Sequence, residues 1–173
     1  IFFFMSIYMK GGKMEDIYEK YSKLVYSYLL SLTKDSSIAE DLMQETFYSA
    51  IKNINKFRNE SSLKVWLCKI AKNKWTDYYK KSKKTNEVNL DYLDETCFSS
   101  YFIEDNAINK QETLNVLKSI HNLDETSKEV IYLRIGMNLS FREIGMIMGK
   151  NENWARIIFY RAKIKLKEDL NNG

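Results

Sequence analysis

A chain of 173 residues without a single proline can form long, uninterrupted helices, because no residue fixes φ or removes a backbone donor inside a helix. Glycine, the other residue that weakens helices, occurs only 6 times. Hydrophobic residues make up 45% of the chain, which is enough to bury a core. The sequence therefore predicts an all-α fold, arranged as one medium domain or two small ones.

The stretch from Ser140 to Leu170 predicts two short helices joined by a tight turn and followed by a basic tail. Ser140 and Glu143 match the S-x-x-E capping box that starts a helix. Gly149 can take the left-handed conformation that ends the helix, and Asn151 can cap the next one. The apolar stripe of the first helix consists of Ile144, Ile147 and Met148.

The second helix of this pair has two different faces. Its apolar face contains Ala155, Ile158, Phe159, Ala162 and Leu166. The side chains that point elsewhere are Asn153, Arg156, Ile157 and Tyr160. With the small Gly145 and Gly149 permitting close approach, the pattern is typical of a helix-turn-helix whose second helix enters the DNA major groove. The alternative is an ordinary helical hairpin whose basic residues are only solvated.

Two amphipathic helices are predicted near the start of the chain, over Glu15–Leu32 and Ile38–Phe57. The inward residues of the second helix are Leu42, Thr46, Phe47, Ala50, Ile51, Ile54 and Phe57. Its opposite face carries a polar and acidic stripe made of Asp41, Gln44, Glu45 and Tyr48. Such a stripe is usually just a solvated face.

A third helix, capped by Ser61 or Ser62, interleaves cations with aromatic rings. Its apolar positions are Leu63, Trp66, Leu67, Ile70 and Ala71. Its other positions are Lys64, Lys69, Lys72, Asn73, Lys74, Trp75, Tyr78, Tyr79, Lys80 and Lys81. This face suits single-stranded nucleic acid, because ammonium groups follow phosphates while rings stack on unpaired bases. The alternative is that Trp66 and Trp75 belong to the core and the lysines only solubilise, since the net charge of +4 alone does not establish a polyanionic partner.

Residues 82–108 lose helical periodicity and turn acidic, and a loop of this length is improbable within one compact domain. We therefore predict a linker here, between a domain at 14–81 and a second domain at 109–173. The second domain is predicted to contain four helices: one over Asn109–Leu123, one capped by Asp124 or Thr126 and ended by Gly136, and the helix-turn-helix. Thr126 and Glu129 match a second capping box, and Val130, Ile131, Leu133 and Ile135 supply apolar surface.

Several classes of protein have little support. Residues 1–13 contain an apolar run too short to span a bilayer, and we interpret them as an extension outside the fold. Cys68, Cys97 and His121 are isolated, so we expect no metal site, no disulfide, no cofactor and a cytoplasmic location. With one histidine, scattered cysteines and no glycine-rich phosphate loop, an enzyme is not expected.

Taken together, these segments resemble the extracytoplasmic-function (ECF) sigma factors, the two-domain group of bacterial RNA polymerase specificity subunits. The stretch from Ala39 to Lys81 is similar to the sigma-2 signature, and the stretch from Leu123 to Leu166 is similar to the sigma-4 signature. The resemblance implies that core RNA polymerase and promoter DNA are partners, that an anti-sigma factor is a further one, and that there is no small-molecule substrate. It also implies that the linker runs toward the RNA exit channel.

The resemblance assigns residues to three surfaces. Those that would dock on the clamp coiled coil of the largest polymerase subunit are Asp41, Leu42, Gln44, Glu45 and Phe47. Those that would melt and hold the non-template strand of the −10 element are Trp66, Lys69, Lys72, Asn73, Trp75 and Tyr78, with Asn73 or a neighbouring loop receiving a flipped base. Those that would read the −35 duplex are Asn153, Trp154, Arg156, Tyr160 and Arg161.

The sequence departs from the family pattern at three places. Asp124 stands where the family usually has proline, the turn Asn151–Trp154 lacks the usual glycine, and Ile158 stands where a cation is frequent. The sequence preference at −35 therefore does not transfer. A competing hypothesis is a dimeric regulator that binds a duplex operator, but such a protein needs neither the acidic stripe nor a surface for single strands.

Overall fold

The computed structural model describes residues 13–57, 61–85, 116 and 118–172, and within these ranges every regular element is helical. The all-α prediction is confirmed. The fold divides into two compact units, residues 1–92 and 93–173. None of the helices in the described part of the chain is both long and apolar enough to cross a membrane.

In the described part of the first unit, three helices pack against one another in all three pairs. They are α1 (Lys13–Thr33), α2 (Ser36–Asn53) and α3 (Leu63–Thr85), with a 3-10 turn at Ile54–Lys56. Asp35 starts α2, since its carboxylate accepts a hydrogen bond from the Ile38 N–H at 2.9 Å. The α2 helix is shorter than predicted, because the chain tightens into the 3-10 turn before it reaches Phe57.

The core of the first unit is formed by one face of each helix. Its fully buried members are Val25, Tyr28, Leu29, Ala39, Phe47, Ala50, Val65, Leu67, Cys68 and Ala71. The buried Thr46 hydroxyl donates to the Leu42 carbonyl at 2.7 Å, so it enters the core without an unpaired polar group. Burial raises the pKa of the Cys68 thiol to about 12, against a smaller opposing effect of Lys64, so Cys68 is a packing residue at neutral pH.

The α3 helix is longer than predicted, and it includes the first four residues assigned to the linker. Ser82 is buried, and its hydroxyl lies 3.1 Å from the Tyr78 carbonyl and 3.3 Å from the Tyr79 carbonyl. The bond satisfies the buried hydroxyl within its own helix, so Ser82 is accommodated in α3 without an unpaired polar group. The rest of the predicted linker, 86–108, lies outside the described residues, as do residues 1–12 of the extension predicted at 1–13, whereas Lys13 is the first residue of α1.

The second unit carries the helix-turn-helix. After helical residues at 118–121 come α4 (Glu125–Ile131), a π-helical turn (Tyr132–Gly136), α5 (Phe141–Met148) and α6 (Glu152–Asn172). Most of the predicted helix over Asn109–Leu123 lies outside the described residues. Its last two apolar positions, Ile120 and Leu123, are buried, and Leu123 packs with Ile131 and Ala162.

The α4 helix is capped by Asp124 and not by Thr126. The Asp124 carboxylate accepts from the Ser127 N–H at 3.0 Å and from the Ser127 hydroxyl at 2.6 Å, and the hydroxyl bond is the main reason that the pKa of Asp124 is lowered. The predicted Thr126–Glu129 capping box is wrong. A cap precedes the first helical residue, but Thr126 lies within the first turn, and Glu129 is buried at 6% exposure.

The capping box at the start of α5 is confirmed. The Ser140 hydroxyl oxygen accepts from the Glu143 N–H at 3.3 Å, and Glu143 Oε2 accepts from the Ser140 N–H at 2.8 Å. Asn151 starts α6, since its side-chain oxygen accepts from the Trp154 N–H at 2.8 Å. The three polar residues that sequence analysis placed at these two helix starts therefore act as predicted.

The two glycines of the turn have different roles. A Cβ on Gly145 would lie 2.7 Å from the Lys150 carbonyl oxygen and 3.0 Å from the Asn151 carbonyl, so only glycine lets α5 approach the turn this closely. Gly149 has φ of +65°, but a Cβ there would meet nothing within 4 Å. Close approach is therefore confirmed for Gly145 and wrong for Gly149, which ends α5 through its left-handed conformation.

Candidate nucleic-acid and protein interfaces

The side chains of the polar stripe predicted on α2 lie next to one another at the protein surface. Asp41, Glu45 and Tyr48 are exposed, and Gln44 is half-buried between them. Lys52 places its ammonium group 4.3 Å from the centre of the Tyr48 ring. The stripe offers two carboxylates, one amide and one ring to a partner, which suits a basic protein surface.

Leu42 and Phe47 are not part of this surface, although the resemblance assigned them to it. Leu42 is 4% exposed and Phe47 is 1% exposed, and the Phe47 ring packs edge-on against Tyr18 with 4.9 Å between ring centres. The physical reason is the helical spacing: the 100° step between neighbouring residues carries these two side chains to the core face while Asp41 and Glu45 face solvent. They pack in the core beneath the exposed residues of the α2 stripe.

The face of α3 predicted to bind a single strand contains both exposed and half-buried side chains. Lys69 and Asn73 are exposed, whereas Lys72 is half-buried. Trp66 is also half-buried, and its ring lies 5.2 Å from the Phe57 ring in a tilted contact. Trp66 therefore has a partial core role, as the alternative interpretation allowed.

Three aromatic side chains, Trp75, Tyr78 and Tyr79, form a cluster on α3 after Asn73. The Trp75 ring lies 5.9 Å from the Tyr78 ring at an interplanar angle of 25° and 5.4 Å from the Tyr79 ring at 41°. The Lys83 ammonium group lies 4.9 Å from the centre of the Tyr79 ring. All three rings are half-buried, so each keeps part of its surface for a base to stack on. Lys83 was not among the residues predicted to form this surface, because residues 82 onward were assigned to the linker.

An ion pair connects the α2 stripe to the α3 face. Lys74 Nζ lies 3.2 Å from Glu45 Oε2, and the two side chains are 32% and 60% exposed. The helical spacing predicts the two residues on separate surfaces. Their contact depends on how α2 and α3 pack, so the sequence pattern contained no signal for it.

The α6 helix presents the residues predicted to read duplex DNA. Asn153, Arg156, Tyr160 and Arg161 are exposed, and Trp154 is half-buried. Arg156 Nη2 lies 2.6 Å from Glu152 Oε1, one turn earlier on the same helix. All but Trp154 are thus directly available on the outer face of α6.

Phe141 and Arg134 are neighbours of this surface that sequence analysis missed. The Arg134 and Arg156 guanidinium carbons lie 4.7 Å and 5.7 Å from the centre of the Phe141 ring. Arg134 Nη1 also donates to the Leu139 carbonyl at 2.7 Å. Arg134 belongs to the π-helical turn, and neither that turn nor the contacts of its side chain follow from residue spacing.

The chemistry that these surfaces offer is binding. The described part of the chain contains no group of three or more His, Cys, Asp or Glu residues placed to hold a metal ion. The groups available are carboxylates on α2, cations and rings on α3, and arginines with an amide on α6. The α2 carboxylates match a basic protein surface, and the α3 cations and rings match an unpaired strand. The α6 arginines and amide match the groove of a duplex.

The chain is similar to known sigma factors over most of its length. The family model for Sigma-70 region 2 matches residues 17–85. The chain is 31% identical over 160 residues to the ECF RNA polymerase sigma factor SigM of Bacillus subtilis, covering 92% of this chain and 96% of that protein. It is 27% identical over 160 residues to the RNA polymerase sigma factor YlaC of the same organism, covering 91% of each. The sigma factor RpoE from Bartonella quintana, solved with the anti-sigma factor NepR, shares the fold with a TM-score of 0.68 at 21% identity, covering 92% of this chain and 97% of that one.

Proposed function

The chain belongs to the ECF RNA polymerase sigma factors, and we propose that it performs their function with three separate surfaces. As a member of this family, it directs promoter-specific initiation of transcription. The observation that carries the proposal is the presence, in one three-helix unit, of an exposed acidic stripe on α2 and a face of cations and rings on α3. A protein that only binds a duplex operator needs neither.

In this proposal the α2 stripe docks on core RNA polymerase. The contact residues are Asp41, Gln44 and Glu45, with Tyr48 beside them, while Leu42 and Phe47 hold the helix in place. Because the stripe carries two carboxylates, its partner on the polymerase is basic. A bacterial polymerase and its template are cytoplasmic, so this is also where we propose that the protein acts.

The α3 face holds the unpaired strand of the −10 element. Lys69 and Lys72 follow the phosphates, Asn73 contacts an extruded base, and the Trp75–Tyr78 stack offers rings to neighbouring bases. The α6 face reads the −35 duplex through Asn153, Arg156 and their neighbours Trp154, Tyr160 and Arg161. An anti-sigma factor is a further proposed partner, as the resemblance to the family implies.

The test of the proposed function is run-off transcription with bacterial core polymerase on pooled genomic promoter fragments, with and without this protein. Discrete transcripts that depend on the protein are expected, and their aligned start sites would supply the −35 and −10 preferences. No initiation, together with duplex binding in the absence of polymerase, would instead favour the operator-binding regulator.

Replacing Asp41 and Glu45 together with alanine is expected to weaken binding to core polymerase at least about tenfold, or about 1.4 kcal/mol, because two carboxylates leave the docking surface. Both side chains are exposed, so the stability of the fold is expected to change little. Fluorescence titration of labelled protein with core polymerase measures the affinity. The matched control replaces Asp16 and Glu19, two exposed acidic residues of α1, and an equal loss in both variants would argue against a specific role for α2.

Replacing Trp75 with alanine is expected to impair strand opening more than formation of the closed complex. The substitution removes the central ring of the α3 cluster, and one base–ring stack contributes about 1–3 kcal/mol. Permanganate footprinting of unpaired thymines measures opening, and a gel shift measures closed-complex formation. Normal permanganate reactivity in this variant would exclude Trp75 from the melted strand.

Replacing Arg156 with alanine is expected to cost about 1–3 kcal/mol of affinity for the best −35 duplex and to relax the sequence preference at one position, if this arginine contacts a guanine. Competition binding with a panel of singly substituted −35 duplexes measures both effects. Lys163, an exposed cation further along α6, is the matched control. A loss that is equal across all sequences would identify Arg156 as a phosphate contact.

A further inference from the structure

The ion pair between Glu45 and Lys74 joins two surfaces that the proposed function assigns to different partners. Glu45 lies on the α2 stripe that faces polymerase. Lys74 lies on α3 between Asn73 and Trp75 and one turn before Tyr78, all of them proposed to hold the −10 strand. Lys74 Nζ lies 3.2 Å from Glu45 Oε2, so in the free protein one charged group of each surface is engaged in an intramolecular ion pair.

This bond can be exchanged for contacts with a partner. Both side chains remain in contact with solvent, at 32% and 60% exposure, and an exposed ion pair shifts an equilibrium by at most about fivefold. A DNA phosphate can offer Lys74 the same kind of charge-assisted hydrogen bond, and a cationic side chain can do so for Glu45. Neither exchange requires a helix to move, because the two side chains already lie at the surface.

Building on the proposed function, we propose that Lys74 is a further nucleic-acid-binding residue, held by Glu45 in the free protein and released when a cation of the polymerase pairs with Glu45. Polymerase binding frees the Lys74 ammonium group for a phosphate of the opened strand. Phosphate binding in turn frees Glu45 for polymerase. Because both partners break the same ion pair, each raises the affinity of the other by the same factor.

The first test measures the affinity for core RNA polymerase of the wild type, Lys74→Met, Glu45→Gln and the double variant. Lys74→Met keeps an unbranched side chain and removes the charge, so Glu45 becomes available without cost. Binding is expected to tighten by up to about fivefold. In the Glu45→Gln background the same substitution is expected to change nothing. The matched control is Lys23→Met, which removes an equal charge from an exposed position of α1, outside the proposed binding surfaces, and is expected to have no effect.

The second test measures binding of the free protein to a fluorescent single-stranded deoxyoligonucleotide of mixed sequence. Glu45→Gln is expected to tighten this binding by up to about fivefold, and adding Lys74→Met is expected to abolish the gain. The gain is expected to shrink as salt is raised, since exposed charges are screened.

Two results would overturn the proposal. One is equal tightening by Lys74→Met and Lys23→Met, which would reflect net charge alone. The other is an effect of Lys74→Met that persists when Glu45 is already glutamine. Failure of the proposed function gives a different result, since the wild type itself would then not bind core polymerase in the first test.

Discussion

Phe47→Ala is expected to destabilise the first unit by about 3–5 kcal/mol, the usual cost of truncating a fully buried phenylalanine. The ring is 1% exposed and meets the Tyr18 ring edge-on, so its removal leaves a cavity between α1 and α2. Since small domains have only about 5–15 kcal/mol of stability, the variant retains a small margin at best. Urea unfolding in a Trp154→Phe background reports on this unit, because the remaining tryptophans, Trp66 and Trp75, both lie on α3.

The neighbouring residue provides the control that separates a core role from a docking role. Tyr48 is 49% exposed, and Tyr48→Ala is expected to cost less than about 1 kcal/mol, including the loss of its contact with Lys52. If Phe47 were instead a contact to polymerase, Phe47→Ala would leave the urea midpoint unchanged and weaken polymerase binding alone.

Gly145→Val is expected to destabilise the second unit by at least about 1–3 kcal/mol and to weaken binding to the −35 duplex. The added Cβ would lie 2.7 Å from the Lys150 carbonyl oxygen. That oxygen belongs to the backbone of the turn, so it can move only if α5 and α6 separate. Hydrogen exchange of peptides covering 124–170 locates the loosened region, and a gel shift with duplex DNA measures the loss of binding.

Gly136→Ala is the matched control for this variant. A Cβ on Gly136 would make an ordinary contact with the Tyr132 ring at 3.5 Å, and its φ is not positive. The substitution is expected to be neutral or to stabilise by about 0.4–1 kcal/mol, because alanine restricts the unfolded chain. Equal destabilisation by the two substitutions would show that close approach at Gly145 is not the cause.

Features that depend on a few adjacent residues could be predicted from the sequence. The capping box of Ser140 and Glu143, the Asn151 cap and the left-handed Gly149 follow from the chemistry of single turns, and all three are confirmed. The all-α fold follows from helical periodicity in a chain without proline. The exposure of the site residues on α6 could be predicted for the same reason, because the face of a helix opposite a regular apolar stripe points toward solvent.

Features that depend on packing between helices could not be predicted. Periodicity predicts Leu42 and Phe47 on the inward face of α2, but how far each is exposed, 4% and 1%, depends on how the helices pack around α2. One local feature was also left open by the sequence, because Asp124 and Thr126 both match a cap, and the Asp124 cap starts α4 two residues earlier than a Thr126 cap would. The Glu45–Lys74 pair required the crossing of α2 and α3.

Glu143 occupies the position where an anion would otherwise bind at the start of α5. Helix N-termini attract phosphates because their first N–H groups have no partner within the helix. Here Glu143 Oε2 accepts from both the Ser140 N–H and the Ser140 hydroxyl, each at 2.8 Å. A DNA phosphate that approached this helix end would meet a carboxylate. We therefore expect counterion release on duplex binding to come from lysine and arginine side chains, and not from the first backbone N–H groups of α5.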